Sequence, residues 1–110
     1  MSQYEKFKRN QDLLRYYTEK WLSIPELEAA YGITASRIYA ILAKAGHKTH
    51  REIRREILGK EVWDLGELVG QAINVVRGPL GPIVLCHNAG AVTRVDLFDA
   101  TFAENPHGNP

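Results

Sequence analysis

The sequence predicts an α+β fold, with an N-terminal three-helix unit, a linking helix, and then a helix and a β-hairpin at the C-terminal end. Up to residue 58 apolar residues recur at three- and four-residue spacing between helix caps, which is typical of short amphipathic helices. Beyond residue 82 two strand-like apolar runs flank Asn88-Ala89-Gly90, as in a hairpin. Charge divides similarly, with 12 Lys and Arg against 7 Asp and Glu in residues 1–60, and 2 against 6 in residues 61–110.

Three helices are predicted in the first half of the chain. The first runs from Gln3 to about Lys20, and its apolar residues share one broad face: Tyr4, Phe7, Leu13, Leu14, Tyr17 and Trp21. The second, residues 24–31, opens with the capping-box pair Ser23 and Glu26 and ends at Gly32. The third, residues 35–45, follows a Thr34 N-cap and ends at Gly46.

The third helix has two different sides. Its apolar side carries Ile38, Ile41, Leu42 and Ala45. The other side carries small, polar and cationic residues, namely Ala35, Ser36, Arg37, Tyr39, Ala40 and Lys44. A helix that is buried on one side and bears such groups on the other fits a DNA major groove.

Residues 23–42 resemble the helix-turn-helix of the resolvase/invertase type, which is also common in small phage and bacterial regulators. The resemblance rests on Ser23, Leu27, the turn Tyr31-Gly32-Ile33-Thr34, and Ser36-Arg37-Ile38-Tyr39 followed by Leu42, and it extends over roughly residues 8–48. The family usually has a small residue after the leucine, but this chain has Glu28. Either the second helix is rotated slightly, or Glu28 points along a neighbouring surface.

The resemblance implies binding of double-stranded DNA through the third helix and the basic segment after it. Arg37 is the candidate for a bidentate contact to guanine, and Ser36 and Tyr39 for contacts to a base edge or a phosphate. Two alternatives remain open, since Arg37 could be a solvated surface residue and Tyr39 could cover the edge of the core. The complete set of candidate DNA-binding residues is Ser36, Arg37, Tyr39, Ala40, Lys44, His47, Lys48 and Arg51.

The remainder of the chain is predicted as a linking helix, a second helix and a hairpin. The linking helix runs from about His50 to Leu58, and the next over residues 64–77, where Asp64 and Glu67 form a cap pair. Strands at 83–87 and 91–98 follow a rigid turn. The predicted regions are a helix-turn-helix domain (1–48), a helical and β-hairpin oligomerisation region (49–103) and a disordered tail (104–110).

Catalytic, cofactor and metal sites are not predicted. Cys86 is the only cysteine, and its apolar neighbours favour a buried side chain. A zinc site from His47, His50, Cys86 and His87 lacks the usual ligand spacing. No phosphate-binding glycine motif occurs, and the apolar runs are shorter than the ~20 residues that span a bilayer. We therefore expect a cytoplasmic protein that is not an enzyme and needs no cofactor.

The leading interpretation is a small phage or bacterial transcriptional regulator that dimerises through residues 64–98 and binds a palindromic site. A second interpretation is an adaptor in phage DNA packaging or replication, resembling small terminase subunits. A third is a protein-interaction module that inhibits a host protein through its acidic C-terminal half. Ring-shaped oligomers favour the second interpretation, and absence of salt-sensitive DNA binding favours the third.

Overall fold

The computed structural model describes residues 2–103 and shows an α+β fold. Four helices are followed by a five-stranded antiparallel sheet, which confirms the predicted class. The helices are α1 (Gln3–Glu19), α2 (Ile24–Tyr31), α3 (Ala35–Lys44) and α4 (His50–Ile57). The strands are β1 (Glu61–Asp64), β2 (Glu67–Gly78), β3 (Gly81–Asn88), β4 (Ala91–Asp96) and β5 (Thr101–Ala103).

The chain divides into two compact units, Met1–Thr49 and His50–Pro110. The first unit holds α1 to α3, and the second holds α4 and the whole sheet. The tail predicted at residues 104–110 lies outside the described residues. None of the helices in residues 2–103 combines the length and the apolar character that crossing a membrane requires.

The core of the first unit is formed by one face from each of its three helices. The buried residues are Leu13, Leu14, Tyr17, Leu27, Ile38, Ile41 and Leu42. Leu22, Ile24, Tyr31 and Ile33 pack around them and are partly buried. Full burial of a leucine or isoleucine stabilises a fold by about 1.5–3 kcal/mol, so this cluster fixes the orientation of α3.

The predicted apolar face of α1 is wrong at its N-terminal end. Tyr4 is 73% exposed and Phe7 62% exposed, whereas Leu13, Leu14, Tyr17 and Trp21 are buried. Helical periodicity identifies which residues share a face, but not how far the neighbouring helices extend along it. The first two turns of α1 therefore present aromatic side chains to solvent.

The sheet of the second unit has the strand order β4-β3-β2-β1-β5, and its paired strands are antiparallel. Strands β1 to β4 form a meander, and β5 returns to pair with β1. The predicted hairpin is confirmed as β3 and β4, which are joined at Ala89-Gly90. Residues 61–63, for which the sequence predicted neither helix nor strand, form most of β1.

The helix predicted over residues 64–77 is wrong, because this segment forms the end of β1, a tight turn and nearly all of β2. Leu65 and Gly66 both have positive φ in the turn, as a two-residue hairpin connection requires. Strand β2 is shifted in register at Val69 against β1 and at Ile73 against β3. Each bulge inserts one residue into the two-residue alternation, so that the apolar positions acquire helix-like spacing.

Gly70 lies where the backbone of β2 closely approaches the backbone of β3. A Cβ atom built on Gly70 would lie 2.6 Å from the carbonyl oxygen of His87, and its φ of +156° is rare for other residues. The glycine therefore allows the close approach of the two backbones beside the Val69 bulge.

Helix α4 is attached to β2 through an arginine side chain. The Nε of Arg54 donates to the carbonyl oxygen of Val75 over 3.1 Å. The Asn74 side chain accepts from the Val75 N–H over 2.8 Å. These backbone groups point away from β3, and β1 does not extend far enough to pair with them. The two side chains thus replace the missing strand partner.

The two faces of the sheet differ in burial. Val62, Ala72, Val75, Val84, Cys86 and Val95 are buried. On the opposite face Ile83 and Leu85 are only partly buried, although the sequence of β3 is almost entirely apolar. In β4 only Val95 is buried, and Ala91 to Arg94 are exposed.

Candidate nucleic-acid interface

The turn between α2 and α3 is built by local capping interactions, as the sequence predicted. The Ser23 hydroxyl accepts from the Glu26 N–H, and the Glu26 carboxylate accepts from the Ser23 N–H over 3.0 Å. Helix α2 ends at Gly32, whose φ of 64° is left-handed and favours glycine. Thr34 then caps α3 by accepting from the Arg37 N–H over 3.2 Å.

The solvent side of α3 has small residues at its centre and long ones at its edges. Ile38, Ile41 and Leu42 hold the opposite side in the core. At about 100° per residue, Ser36 and Ala40 lie in the middle of the exposed arc, Tyr39 lies on one edge, and Arg37 and Lys44 lie on the other. All five are exposed, Tyr39 by 48%. The helix backbone can therefore approach a partner closely between its longer side chains.

Glu28 links α2 to the beginning of α3. Its Oε2 accepts from the backbone N–H of Ala35, the first residue of α3, over 3.1 Å. Of the two explanations for a glutamate at this position, neither anticipated this contact. The carboxylate satisfies an amide that has no partner within the helix, and its negative charge is favourable beside a helix N-terminus. No local pattern predicts this contact, because seven residues separate the two groups.

The C-terminal end of α3 directs the basic segment that follows it. The N–H of Gly46 donates to the carbonyl of Ala43, and the N–H of His47 donates to the carbonyl of Leu42. This pair of bonds is a Schellman motif, which turns the chain sharply at the helix end. His47 and Lys48 are exposed beyond it. The structure thus assembles seven of the eight candidate residues in the first unit, whereas Arg51 belongs to α4 in the second.

Helix α1 forms one wall of a groove beside the candidate residues. The groove has a volume of about 300 Å³, and Arg37, Ala40 and Lys44 line its α3 side. Its α1 side is formed by Phe7, Asn10, Gln11 and Leu14. Asn10 and Gln11 are not among the predicted candidates, although their three- and four-residue spacing from Phe7 and Leu14 places all four on one helical face.

The basic residues of α1 differ in their surroundings. Arg15 lies 3.8 Å from an Asp12 carboxylate oxygen, and its guanidinium carbon is 5.3 Å from the centre of the Tyr16 ring. Arg9 donates from Nε and Nη2 to the side-chain oxygen of its neighbour Asn10. Lys6 and Lys8 are exposed on the first turns. Arg9 and Arg15 thus contact neighbouring side chains of α1.

The residues considered for metal binding or catalysis are not brought together. Cys86 is fully buried whereas its neighbour His87 is exposed, because adjacent side chains of a strand point to opposite faces. Burial raises the pKa of the Cys86 thiol, which disfavours its reactive thiolate form. Burial, followed by the nearby Asp12, also raises the pKa of Tyr31. Within residues 2–103, no three His, Cys, Asp or Glu side chains are grouped as metal ligands.

No protein-family model, curated protein or solved structure matches this chain significantly.

Proposed function

We propose that this chain binds double-stranded DNA in a sequence-specific manner, as a small phage or bacterial transcriptional regulator that acts as a dimer on a palindromic site. In this proposal α3 enters the major groove. The resemblance of residues 23–42 to a helix-turn-helix supports the proposal, and so does the shape of the exposed side of α3. Because its proposed target is bacterial or phage DNA, the protein would act in the cytoplasm.

The observation that carries the proposal is the composition of the exposed arc of α3. Ser36 and Ala40 at its centre let the helix backbone descend between the two sugar-phosphate strands. Arg37 and Lys44 on one edge and Tyr39 on the other extend past this centre towards base edges or phosphates. Ile38, Ile41 and Leu42 hold the other side of α3 in the core, so this arc is the side that is left exposed to a partner.

The groove between α1 and α3 widens the proposed contact surface. Arg37 lies on the edge of α3 that faces α1, beside Asn10 and Gln11. Amide side chains donate well to phosphate oxygens, and such contacts fix the register of a protein on the duplex. We therefore assign Arg37 to a guanine. Contacts to the DNA sugar-phosphate backbone are assigned to Lys44, His47 and Lys48, with a supporting contact from Gln11. Arg51 is a further candidate for the backbone.

One small module makes too few contacts for tight specific binding, and this favours a dimer. Single modules typically bury about 600–1,000 Å² of protein surface on DNA, whereas specific interfaces bury up to about 2,500 Å². Two copies related by a two-fold axis would place two α3 helices in successive major grooves. The second unit, which holds the predicted dimerisation residues 64–98, would join them.

The proposal is tested by selection from random DNA duplexes, followed by affinity measurements on the selected site. We expect a palindromic site, and we expect Arg37→Ala to lose about 10- to 100-fold discrimination at one base pair of each half-site. Arg15→Ala is the matched control, because Arg15 is engaged with Asp12 and Tyr16 on α1. If no sequence is selected, the proposal is contradicted. If base preference is unchanged in Arg37→Ala, the role of Arg37 is contradicted.

A further inference from the structure

The outer edge of β4 has the features of an unprotected pairing edge. Strand β4 is the last strand on one side of the sheet, and Ala91 to Arg94 are exposed, Val92 by 57%. Its sequence, Ala-Val-Thr-Arg-Val-Asp, contains no proline or lysine, its charged residues are one cation and one anion (Arg94 and Asp96), and its register with β3 is continuous. Proteins normally protect edge strands with such residues or with bulges, because unpaired backbone groups recruit another strand.

The register shows which backbone groups of β4 point outward. The N–H of Leu97 donates to the carbonyl of Pro82, so residues 91, 93, 95 and 97 direct their backbone groups towards β3. Val92, Arg94 and Asp96 direct theirs to the opposite side. The Asp96 carbonyl already accepts from the N–H groups of Asp99 and Ala100. Val92 and Arg94 therefore each offer an outward N–H and an outward carbonyl, whereas Asp96 offers its N–H alone.

We infer that β4 pairs antiparallel with β4 of a second copy of this chain, across a two-fold axis at Thr93. This inference rests on the dimer of the proposed function and names its surface. In this register Val92 of each copy exchanges two backbone hydrogen bonds with Arg94 of the other, which uses all four outward groups of both residues. The two sheets then form one continuous sheet of ten strands.

The other symmetric registers are less favourable. Centring the axis on Arg94 places two guanidinium groups directly opposite each other, and like charges at such positions are destabilising. Centring it on Val95 pairs Arg94 with Asp96, whose carbonyl is occupied. Centring it on Val92 places Arg94 opposite Gly90, which lies in the turn before the strand. Centring it on Thr93 opposes two threonines, places Ala91 against Val95, and lets the aliphatic part of Arg94 cover the exposed Val92. The strand is thus most complementary to itself when the axis passes through Thr93.

A cysteine substitution tests the register directly. Thr93 would form a non-hydrogen-bonded pair with its own copy, with Cα atoms about 4.5 Å apart, which suits a disulfide. The native Cys86 is buried and would not compete. We expect Thr93→Cys to form a covalent dimer rapidly on mild oxidation without DNA. Ala91→Cys is the matched control, since the same register separates two copies of residue 91 by about 13 Å along the strand.

A proline substitution tests the edge without disturbing the fold. The Val92 N–H points away from β3, so Val92→Pro removes an intermolecular bond and leaves the β3–β4 hydrogen bonds in place. The mass of the wild-type protein in solution should be that of a dimer. It is measured up to about 100 µM, because a short edge pair gives an interface at the small end of the usual range. Val92→Pro should be monomeric, with unchanged circular dichroism.

Four outcomes overturn the inference: a monomeric wild type throughout this range, a ring-sized mass, a dimer that survives Val92→Pro, or equal cross-linking of Ala91→Cys and Thr93→Cys. These results are independent of the DNA experiment. A dimer that selects a palindrome but fails the cysteine test leaves the proposed function standing with another interface. A Thr93 dimer that selects no DNA supports the interface and contradicts the proposed function.

Discussion

At the scale of single residues, Glu28 connects the two helices of the motif through one hydrogen bond. Its carboxylate binds the first amide of α3, and the Thr34 hydroxyl binds the third. Two of the amides that an α-helix leaves without internal partners are thus satisfied by side chains. The glutamate therefore takes part in positioning the proposed recognition helix, although it replaces the small residue usual in the resembled family.

Replacement of Glu28 by alanine should destabilise the protein. Loss of a helix-capping interaction costs about 1 kcal/mol, and Glu28→Gln should recover part of it because an amide oxygen also accepts a hydrogen bond. The free energy of unfolding is measured by chemical denaturation. Glu19→Ala is the control, since Glu19 is exposed at the end of α1 and its loss should change stability by less than about 0.5 kcal/mol. Equal effects of both alanine substitutions would refute the capping role.

The burial of the Cys86 thiol should make the stability of the protein depend on pH. Burial raises the pKa of its thiol above that of the unfolded chain, which is about 8.5. Above this pH the unfolded chain releases the thiol proton while the folded chain retains it, so the free energy of unfolding falls as the pH rises. Chemical denaturation between pH 8 and 9.5, below the usual pKa of a tyrosine such as Tyr31, measures this change. The free energy of unfolding should fall less with pH in Cys86→Ala than in the wild type. Parallel curves for both proteins would contradict this cause.

At the scale of elements, strand β2 shows how bulges alter a sequence pattern. The bulges at Val69 and Ile73 insert one residue each, and the apolar positions of residues 65–76 consequently follow three- and four-residue steps. The β-branched residues Val69, Ile73, Val75 and Val76 and the glycine at 70 are poor helix formers. Intrinsic propensity was therefore the better guide to this segment than hydrophobic periodicity.

Two consecutive arginines of α4 should differ in their effect on stability. Arg54 donates to the Val75 carbonyl, whereas Arg55 is exposed. Arg54→Ala leaves a partly buried carbonyl without this donor, and we expect a loss of about 1–3 kcal/mol in the free energy of unfolding. Arg55→Ala should change it by less than about 0.5 kcal/mol. Similar losses in both variants would show that α4 is not anchored through Arg54.

At the scale of the whole molecule, the small net charge hides an uneven distribution. Residues 1–49 carry 8 Lys and Arg against 5 Asp and Glu, and residues 50–110 carry 6 against 8. The positive excess therefore belongs to the unit that contains α3. A basic unit is attracted to DNA at long range, whereas an acidic unit keeps its own surface away from the phosphates.

This distribution predicts how DNA binding responds to salt. Each lysine–phosphate contact contributes about 0.9 to the slope of log affinity against log salt concentration, so a dimer of Lys44→Gln should have a slope smaller by roughly 2. Its base preference should remain, because a phosphate contact carries no sequence information. Lys20→Gln, at the end of α1, is the control with an unchanged slope. Altered base preference in Lys44→Gln would assign this lysine to a base instead.

The sequence by itself determined the helix ends of the first unit, because their signals are local. Ser23, Gly32, Thr34 and Gly46 define helix ends through bonds between residues at most five apart, and α2 begins and ends as predicted. The exposed candidates of α3 followed from the same periodicity. The conformation of β2, the anchoring of Arg54 and the contact of Glu28 with Ala35 depend on groups that are distant in sequence. Only the tertiary structure decided these, since a hydrogen bond between distant residues leaves no periodic trace in the chain.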